Sequence, residues 1–539
     1  MKNATLFYHA TFHSMETESS VYKTLLVEDG VISGVDVDVQ QAHQQGASLV
    51  DLGGVHVFPA LIDAHMHLLD TVALSAVSTS VCSLGDNAVE PHCLAGVEQV
   101  VRQTAAQNPS KLLVFSNYIA AAMDEKRLPN RLELDAWTAG GGRVAHGREA
   151  WVLNMDGHSS SCSTALLHAL GLEEEAPDGI LTGAVHDANL GRITDHLASC
   201  ISPALLGDGI AAFCDDCARY GVGTVCALEG TDDSPQDAMT MLLARLAGAF
   251  PVDVRVFPQY MDEKKLARIQ RFMGQKRVGG CMRWELDGSV GSRSAAFPEP
   301  YADGTQGHLY FETDFLRRKV AGLAQRGYSL TAHAIGPDAI EQLVGIYEQL
   351  PAQVGVAALR HRIDHCEFPA KDLVERLIKL KPYVTVQPGY AWVDKRFLHG
   401  YEQWLSDQAV QQQIPLRTLA QAGVALCGSS DCTVQPLDPF LQMRGMREFY
   451  LPEESLSAYE ALKTYTVNGG LMLGEAKGML ACGYEASFFT SRENLLDITP
   501  AQLEGFHAQS LYLRGKKYQP QRGGIVGLVS LLLGKKRPI

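Results

Sequence analysis

Short apolar runs rich in β-branched residues recur along the chain and alternate with segments whose apolar residues repeat at helical spacing. The first clear run spans Val55 to Ile62, and seven more follow at residues 224–229, 252–258, 281–287, 328–333, 361–366, 383–387 and 423–428. Amphipathic stretches such as 314–326, 338–348 and 371–379 lie between these runs. Eight strands that alternate with helices predict an α/β fold, a (β/α)8 barrel of the TIM type.

One connection is much longer than a barrel requires. About 150 residues separate the first predicted barrel strand from the second, whereas a βα unit needs only roughly 30. This insertion, about 71–220, contains strand-like runs at 111–119 and 150–155 and amphipathic stretches at 96–107 and 163–172. Because it follows the end of a barrel strand, where barrel enzymes have their active sites, we expect it to form a lid or pocket wall.

Both ends of the sequence have β character. Asp29-Gly30 between two β-rich runs predicts a hairpin, and β-type runs return after a helical segment at 456–466. We therefore predict a small β-sandwich domain built from residues 1–57 and 475–520, beside a barrel domain of residues 58–474. Residues 521–539 combine an apolar run with basic residues. We expect this tail to pack on the body or at a subunit interface, as in a possible homodimer.

The composition narrows the classes of function. The 539 residues are 46% hydrophobic and 20% charged, with a formal net charge of −15. This acidic balance argues against nucleic-acid binding, which needs clustered Lys and Arg. No run of roughly 20 apolar residues exists, so we predict no membrane span. The 12 cysteines are scattered, and the start has no long apolar stretch, which together predict a cytoplasmic protein.

The predicted strand ends carry the side chains of most chemical interest. His65 and His67 stand two residues apart at the end of the first barrel strand, so both imidazoles leave it on the same side. Further histidines and carboxylates follow the ends of later strands: Glu285, His333, His365 and Asp431. Such a mixed set predicts a catalytic Zn²⁺-type site of one or two ions, where Asp431 shuttles a proton from metal-activated water to the leaving group.

Several segments resemble, in strand order, motifs of the amidohydrolase superfamily, most closely its branch of N-substituted formamide deformylases. These segments are 58–67 (FPALIDAHMH), 286–296 (LDGSVGSRSAA), 333–339 (HAIGPDA), 362–365 (RIDH), 386–388 (VQP), 428–431 (GSSD), 463–468 (KTYTVN) and 478–483 (GMLACG). The resemblance covers nearly the whole chain. It implies a metal-dependent hydrolase that acts on a small-molecule amide or cyclic amide, cleaving a C–N bond other than a peptide bond.

The resemblance also implies roles for single residues. The positions that match family metal ligands are His65, His67, His333, His365 and Asp431. His158 lies in an Asp-Gly-His segment that resembles a substrate-facing one, and Gln387 of the VQP segment is expected to bind substrate as well. Arg293 and Arg362 flank the site, and they either hold a substrate carboxylate or support the ligands from behind.

The chain departs from the resemblance at one position. Four residues before the Asp-Gly pair this branch commonly has a lysine that is carboxylated and bridges two metals, and here that position is Arg283. A guanidinium stays protonated and cannot accept CO₂ in that way. Either Glu285 supplies the bridging carboxylate, or the site holds one metal, or metal has been lost and the barrel has a non-catalytic role. A deaminase acting on a heterocycle is the alternative catalytic prediction.

Overall fold

The computed structural model describes residues 4–84, 88–139, 147–155, 157–232, 237–398, 400–534 and 536–537. Its strands are β1 (Ala4–His13), β2 (Val21–Tyr22), β3 (Leu25–Glu28), β4 (Val31–Val35), β5 (Ser48–Pro59), β6 (Leu61–Met66), β7 (Ser78–Ser80), β8 (Ser83–Leu84), β9 (Val89–Glu90), β10 (Leu112–Tyr118), β11 (Glu149–Asn154), β12 (Ser159–Cys162), β13 (Ile180–Thr182), β14 (Val222–Glu229), β15 (Asp253–Pro258), β16 (Arg277–Glu285), β17 (Ser329–Ala334), β18 (Arg362–His365), β19 (Tyr383–Val386), β20 (Leu426–Gly428), β21 (Phe488–Ser491), β22 (Ser510–Leu513) and β23 (Lys516–Lys517).

Its α-helices are α1 (Val39–Gln44), α2 (Leu68–Val77), α3 (Leu94–Gln107), α4 (Arg131–Thr138), α5 (Thr164–Leu170), α6 (Gly183–Cys200), α7 (Pro203–Arg219), α8 (Ala238–Leu246), α9 (Glu263–Ile269), α10 (Thr313–Gln325), α11 (Pro337–Glu348), α12 (Val356–Leu359), α13 (Lys371–Leu380), α14 (Gly389–Phe397), α15 (Asp407–Val410), α16 (Leu416–Gln421), α17 (Pro439–Arg447), α18 (Ala458–Tyr465), α19 (Val467–Leu473) and α20 (Gly524–Leu533). Helices and strands alternate over much of the chain, so the fold is mixed α/β, as the sequence pattern predicts.

The first run predicted for the barrel, Val55 to Ile62, covers the end of β5 and only the start of β6. Strand β6 and the strands that match the other seven runs lie in two parallel sheets. One has the order β15-β14-β6, and the other runs from β16 to β20 in sequence order. β15 also contacts β16, and β20 contacts β6, so the two sheets meet at both edges. Strands β6, β14, β15 and β18 are buried along their whole length. Burial on both faces explains why β14 reads as a largely apolar run rather than an alternating one.

Strand β16 contains a large bulge next to the predicted site. Gly280 pairs with Ala332 of β17, but the next residue of β17, His333, pairs with Glu285, so residues 281–284 are looped out. Gly279 and Gly280 begin this bulge with φ angles of +111° and +132°. A Cβ on Gly279 would lie 1.8 Å from the carbonyl oxygen of Thr331, so only glycine fits there.

Both ends of the sequence meet in one further sheet. Its order is β23-β22-β21-β5-β1-β3-β4, with β2 paired to β1. The predicted hairpin at Asp29-Gly30 is confirmed, because β3 and β4 pair antiparallel around it. Phe7, Phe12 and Phe488 are fully buried against this sheet and form its apolar core. Strand β5 continues into β6 after a single residue, Ala60, which links this sheet directly to the parallel strands.

The long insertion has its own sheet and helices. Its strand order is β13-β12-β11-β10-β7, and β10 and β11 coincide with the predicted runs at 111–119 and 150–155. A separate apolar core includes Trp151, Leu167 and Leu197. Helix α20 packs on α7 of the insertion, at a crossing so close that a Cβ on Gly207 would lie 2.0 Å from the carbonyl oxygen of Gly524.

The length and apolar content of the helices bear on whether any of them could cross a bilayer. Of those that the structure describes, none by itself is long and apolar enough to cross a membrane. The segments Ala188–Cys200 and Pro203–Arg219 reach that length and composition only as a pair, and they are bent by 109° relative to each other.

Candidate metal centre

The end of β6 brings two histidines to one carboxylate. The Nε2 atoms of His65 and His67 each lie 3.2 Å from Oδ1 of Asp431. The backbone holds this arrangement, because the Asp431 N–H donates to the carbonyl of His65 at 2.9 Å. Asp431 has a φ of +52° and His365 one of +70°, in the left-handed region that is costly for residues other than glycine. Such strain is common at functional sites.

A buried ion pair stands behind His65. Asp364 Oδ2 lies 3.3 Å from Nδ1 of His65, and its Oδ1 accepts hydrogen bonds from Arg362 Nε at 3.0 Å and from the Thr385 hydroxyl at 2.6 Å. Burial alone would raise the pKa of Asp364, but Arg362 and His65 hold it well below its usual range. A carboxylate in this position orients an imidazole so that its other nitrogen can bind a metal.

Two more histidines come from neighbouring strands. His365, at the end of β18, makes a 3.0 Å hydrogen bond from Nδ1 to the side-chain oxygen of Gln387. His333, near the end of β17, uses Nε2 toward the carbonyl of Gly288 at 3.2 Å. The His333 and His365 rings pack edge to face, 4.5 Å apart. Burial lowers the pKa of His365 to about 4 and that of His333 well below 6.5, so both imidazoles are neutral, the form that binds metals.

The bulge in β16 adds a ligand-type residue that the sequence analysis missed. The thiol sulfur of Cys281 lies 3.4 Å from His65 Nε2 and 4.0 Å from His333 Nδ1, between the two pairs of histidines. Three groups of residues each place their own ligand-type atoms within 4.8 Å of one another. They are His65/His67/Asp431, His65/Cys281/His365 and Cys281/Glu285/His333. The signal available in the sequence was the Gly279-Gly280 pair inside a strand pattern, which indicates a bulge.

The donor atoms fit a metal ion. Asp431 Oδ1 and His365 Nε2 are buried and have no hydrogen-bond partner among the described residues. Buried polar atoms are normally paired, because an unpaired one costs about 1–3 kcal/mol. Burial alone would raise the pKa of Asp431, but His65 and His67 hold it well below its usual range, so it is an anion. Imidazole, carboxylate and thiol together are the ligand types of a zinc site.

Several other ionisable groups surround this cluster. The Tyr390 hydroxyl donates to Asp431 Oδ2 at 2.6 Å, another contact that the sequence analysis did not predict. Burial, aided by Asp70, raises the pKa of Glu229 to about 8. Burial likewise raises the pKa of Glu367 to about 8, with Asp287 as the largest contributing charge.

The cluster forms part of the wall of a cavity of about 520 Å³. Of the residues predicted to bind substrate, His158 lines this cavity, and its ring lies 5.5 Å from that of His333; Asp156 of the same segment lies outside the described residues. Arg293 instead pairs with Asp303 at 2.8 Å. Arg362 lies beneath the ligands, bound to Asp364, and Gln387 orients His365.

Glu285 and Arg283, which both belong to β16, differ in position. Glu285 lines the cavity and belongs to the cluster with Cys281 and His333. Arg283 is not among the residues that line the cavity.

Comparison with known proteins identifies the family to which the chain belongs. The model of the amidohydrolase family (type 3) matches residues 48–517, most of the chain. The chain belongs to the amidohydrolase family. The predicted resemblance to this superfamily and to its formamide deformylase branch is confirmed, and the chain is a hydrolase of a metal-dependent family.

Relatives of this amidohydrolase match nearly its whole length. It is 24% identical to a putative amidohydrolase, YtcJ, of Bacillus subtilis, over 94% of this chain and 98% of the relative. It is 22% identical to an N-substituted formamide deformylase of Arthrobacter pascens, over 95% of this chain and 97% of the relative.

Solved structures support the fold. A metal-dependent hydrolase of Pyrococcus furiosus matches with a TM-score of 0.69 at 19% identity, over 92% of this chain and all of the other. The zinc complex of the atrazine chlorohydrolase TrzN of Arthrobacter aurescens matches with a TM-score of 0.50 at 14% identity, over 98% of each chain.

Proposed function

We propose that this amidohydrolase uses Zn²⁺ to hydrolyse a C–N bond other than a peptide bond, in an amide or a cyclic amide. The observation that carries the proposal is the close approach of His65 and His67 to Asp431, with Cys281 and His365 beside His65. Among the described residues, acceptor atoms of Asp431 and His365 have no hydrogen-bond partner. The similarity to a formamide deformylase supports amide chemistry. The cavity beside these atoms gives a substrate access to them.

The residues divide into two overlapping ligand sets. His65, His67 and Asp431 would hold one ion. Cys281 belongs to one group with His65 and His365 and to another with Glu285 and His333, and these residues would hold a second ion. Cys281 and Glu285 share a group with His333, and either could supply a further ligand in place of the carboxylated lysine of related enzymes. A Zn²⁺ ion in this position lowers the pKa of bound water to about 7 and polarises a carbonyl group.

Asp431 is the proposed proton carrier. Its Oδ1 faces the two histidines of β6 while Oδ2 accepts the hydroxyl proton of Tyr390. As the water oxygen bonds to the carbonyl carbon, Asp431 takes the water's proton, and it returns that proton to the nitrogen as the C–N bond breaks. Tyr390 stabilises the carboxylate before the transfer, and it fixes the direction of Oδ1.

The proposed function depends on an architecture that we also propose. The contacts of β15 with β16 and of β20 with β6 favour closure of the two parallel sheets into one (β/α)8 barrel. In such a barrel all five ligand-bearing strand ends lie on one rim. Residues 58–474 would form this barrel, and residues 1–57 with 475–520 a composite β domain beside it.

Metal analysis and turnover test the proposal together. Purified protein should contain one or two zinc ions per chain, and His65→Ala should lose metal. The matched control is His9→Ala, which removes an exposed imidazole of β1 that pairs with Asp51. Wild-type protein should hydrolyse members of a panel of N-substituted formamides and cyclic amides, and Asp431→Asn should abolish turnover.

Two further variants identify the bridging group. If Cys281 bridges two ions, Cys281→Ala lowers the zinc content to one ion per chain, whereas Glu285→Gln keeps two. The reverse result assigns the bridge to Glu285. Protein without metal after growth in added zinc would refute the proposal, and ammonia release from heterocyclic amines without amide cleavage would establish the deaminase alternative.

A further inference from the structure

A group of apolar side chains forms part of the cavity wall. Its side chains come from helices and strands of the insertion and from the C-terminal helix: Leu69, Ala73, Leu74, Leu153, Leu190 and Leu528. The elements that carry them pack on one another, since α2 contacts α6 and α7, and α7 contacts α20. We refer to these six residues as the apolar wall.

The ionisable side chains that line the cavity are mainly carboxyl groups and histidines. Among the described residues, no Lys or Arg lines it. Its carboxyl groups include Asp70, Asp195, Glu229, Glu367 and Asp394. A carboxylate on a substrate would therefore lose its hydration and gain no cation outside the metal cluster, where the scissile carbonyl must bind.

We propose that the physiological substrate is an uncharged amide that carries an extended aliphatic group, which lies along the apolar wall. This proposal rests on the proposed function for the bond that is cleaved, but the apolar wall and the missing cation are observations of the cavity alone. Burial of each methylene in such a wall contributes about 0.8 kcal/mol, which corresponds to roughly a fourfold change in affinity. A cavity of about 520 Å³ falls in the range of sites for drug-sized ligands.

Binding of N-alkylureas tests the substrate class without requiring turnover, because a urea is a stable, neutral analogue of an amide. Calorimetry on the protein as purified, with chains from butyl to decyl, should give a Kd that falls about fourfold for each added methylene until the wall is covered. Replacing the terminal methyl group with a carboxylate, at constant length, should weaken binding at least 100-fold. A Kd that does not depend on chain length, or equal binding of the carboxylate, overturns the proposal.

A substitution in the apolar wall should change which urea the protein binds more tightly, a result that a misfolded variant would not give. Leu190 is half-buried on α6, so a lysine there places a cation at the wall with its amino group able to reach water. Leu190→Lys should bind the carboxylate-terminated urea at least tenfold more tightly than wild type, and the methyl-terminated urea more weakly. Leu190→Met, which conserves volume, should keep the wild-type preference. The same loss of both ligands in Leu190→Lys and Leu190→Met overturns the role of this wall.

The two proposals can fail separately. Hydrolysis of a short amide combined with a flat response to chain length retains the amide hydrolase and rejects the aliphatic substrate. Chain-length-dependent urea binding with no turnover of any amide retains the lipophilic site and rejects the amide hydrolase.

Discussion

The buried ion pair behind His65 predicts separate effects on stability and metal affinity. Arg362 and Asp364 are both fully buried, and Arg362 Nη2 lies 2.9 Å from Asp364 Oδ1. Asp364→Asn keeps the size of the side chain but leaves the guanidinium without its anion. Removing one partner of a buried ion pair typically costs about 3–5 kcal/mol, because an uncompensated charge stays in the interior. We expect a loss of this size in the free energy of unfolding.

The same change should weaken the metal site by a smaller amount. Asp364 also stands 3.3 Å from Nδ1 of His65, and loss of such an orienting carboxylate typically lowers metal affinity about 10–100-fold. This factor corresponds to roughly 1.4–2.8 kcal/mol. Urea unfolding followed by tryptophan fluorescence measures the first effect, and competition with a zinc chelator measures the second.

A double variant separates the two effects. Arg362→Met/Asp364→Asn removes the orphaned charge, so it should recover most of the lost stability. It cannot restore the carboxylate beside His65, so zinc affinity should stay low. Thr385→Val is the matched control, since it removes one hydrogen bond to Asp364 but keeps the ion pair. A cost below about 1 kcal/mol for Asp364→Asn, or no recovery in the double variant, would contradict this reasoning.

Two other predictions concern elements that position the site. Burial lowers the pKa of His361 from 6.5 to about 4, and its Nδ1 accepts the Leu330 N–H, so folding favours the neutral ring. The stability that the neutral His361 ring contributes is present above pH 6.5 and is lost as pH falls toward 4, by about 2 kcal/mol between pH 7.5 and 5. Urea unfolding should therefore depend less on pH in His361→Gln than in the wild type. The same pH dependence in both proteins would contradict the assignment. Gly279→Ala should destabilise the bulge by several kcal/mol and weaken zinc binding. The control Gly322→Ala, in open space on α10, should instead stabilise the protein by up to about 1 kcal/mol. Equal unfolding midpoints of the two variants would refute this prediction.

The sequence could predict the meeting of the histidines because parallel strands end on the same edge. His65, His333 and His365 each lie at or near the end of a predicted strand, and this shared position brings them together. The place of Cys281 could not be predicted in this way. It depends on positive φ angles at Gly279 and Gly280, which make a bulge and shift the register by several residues.

The sequence pattern also could not assign the roles of the two arginines near the site. Arg293 and Arg362 occur near ligand motifs, and nothing in the sequence distinguishes a substrate contact from an internal ion pair. Their partners, Asp303 and Asp364, are decided by side-chain direction and by packing against rings such as that of Phe257. The insertion was predicted as a unit, but which of its apolar residues face the cavity depends on how its helices cross.

The direct passage from β5 into β6 has a consequence for synthesis on the ribosome. The strand that leads to His65 is clamped on its other side by β21, where Phe488 pairs with Pro59. These segments are roughly 400 residues apart, and translation at about 5–20 residues per second separates their emergence by roughly 20–80 seconds. During this interval β5, which leads into the strand of the first two histidines, lacks one of its two neighbouring strands. Chains released by interrupted translation before residue 488 should therefore bind zinc weakly and be substrates for proteolysis.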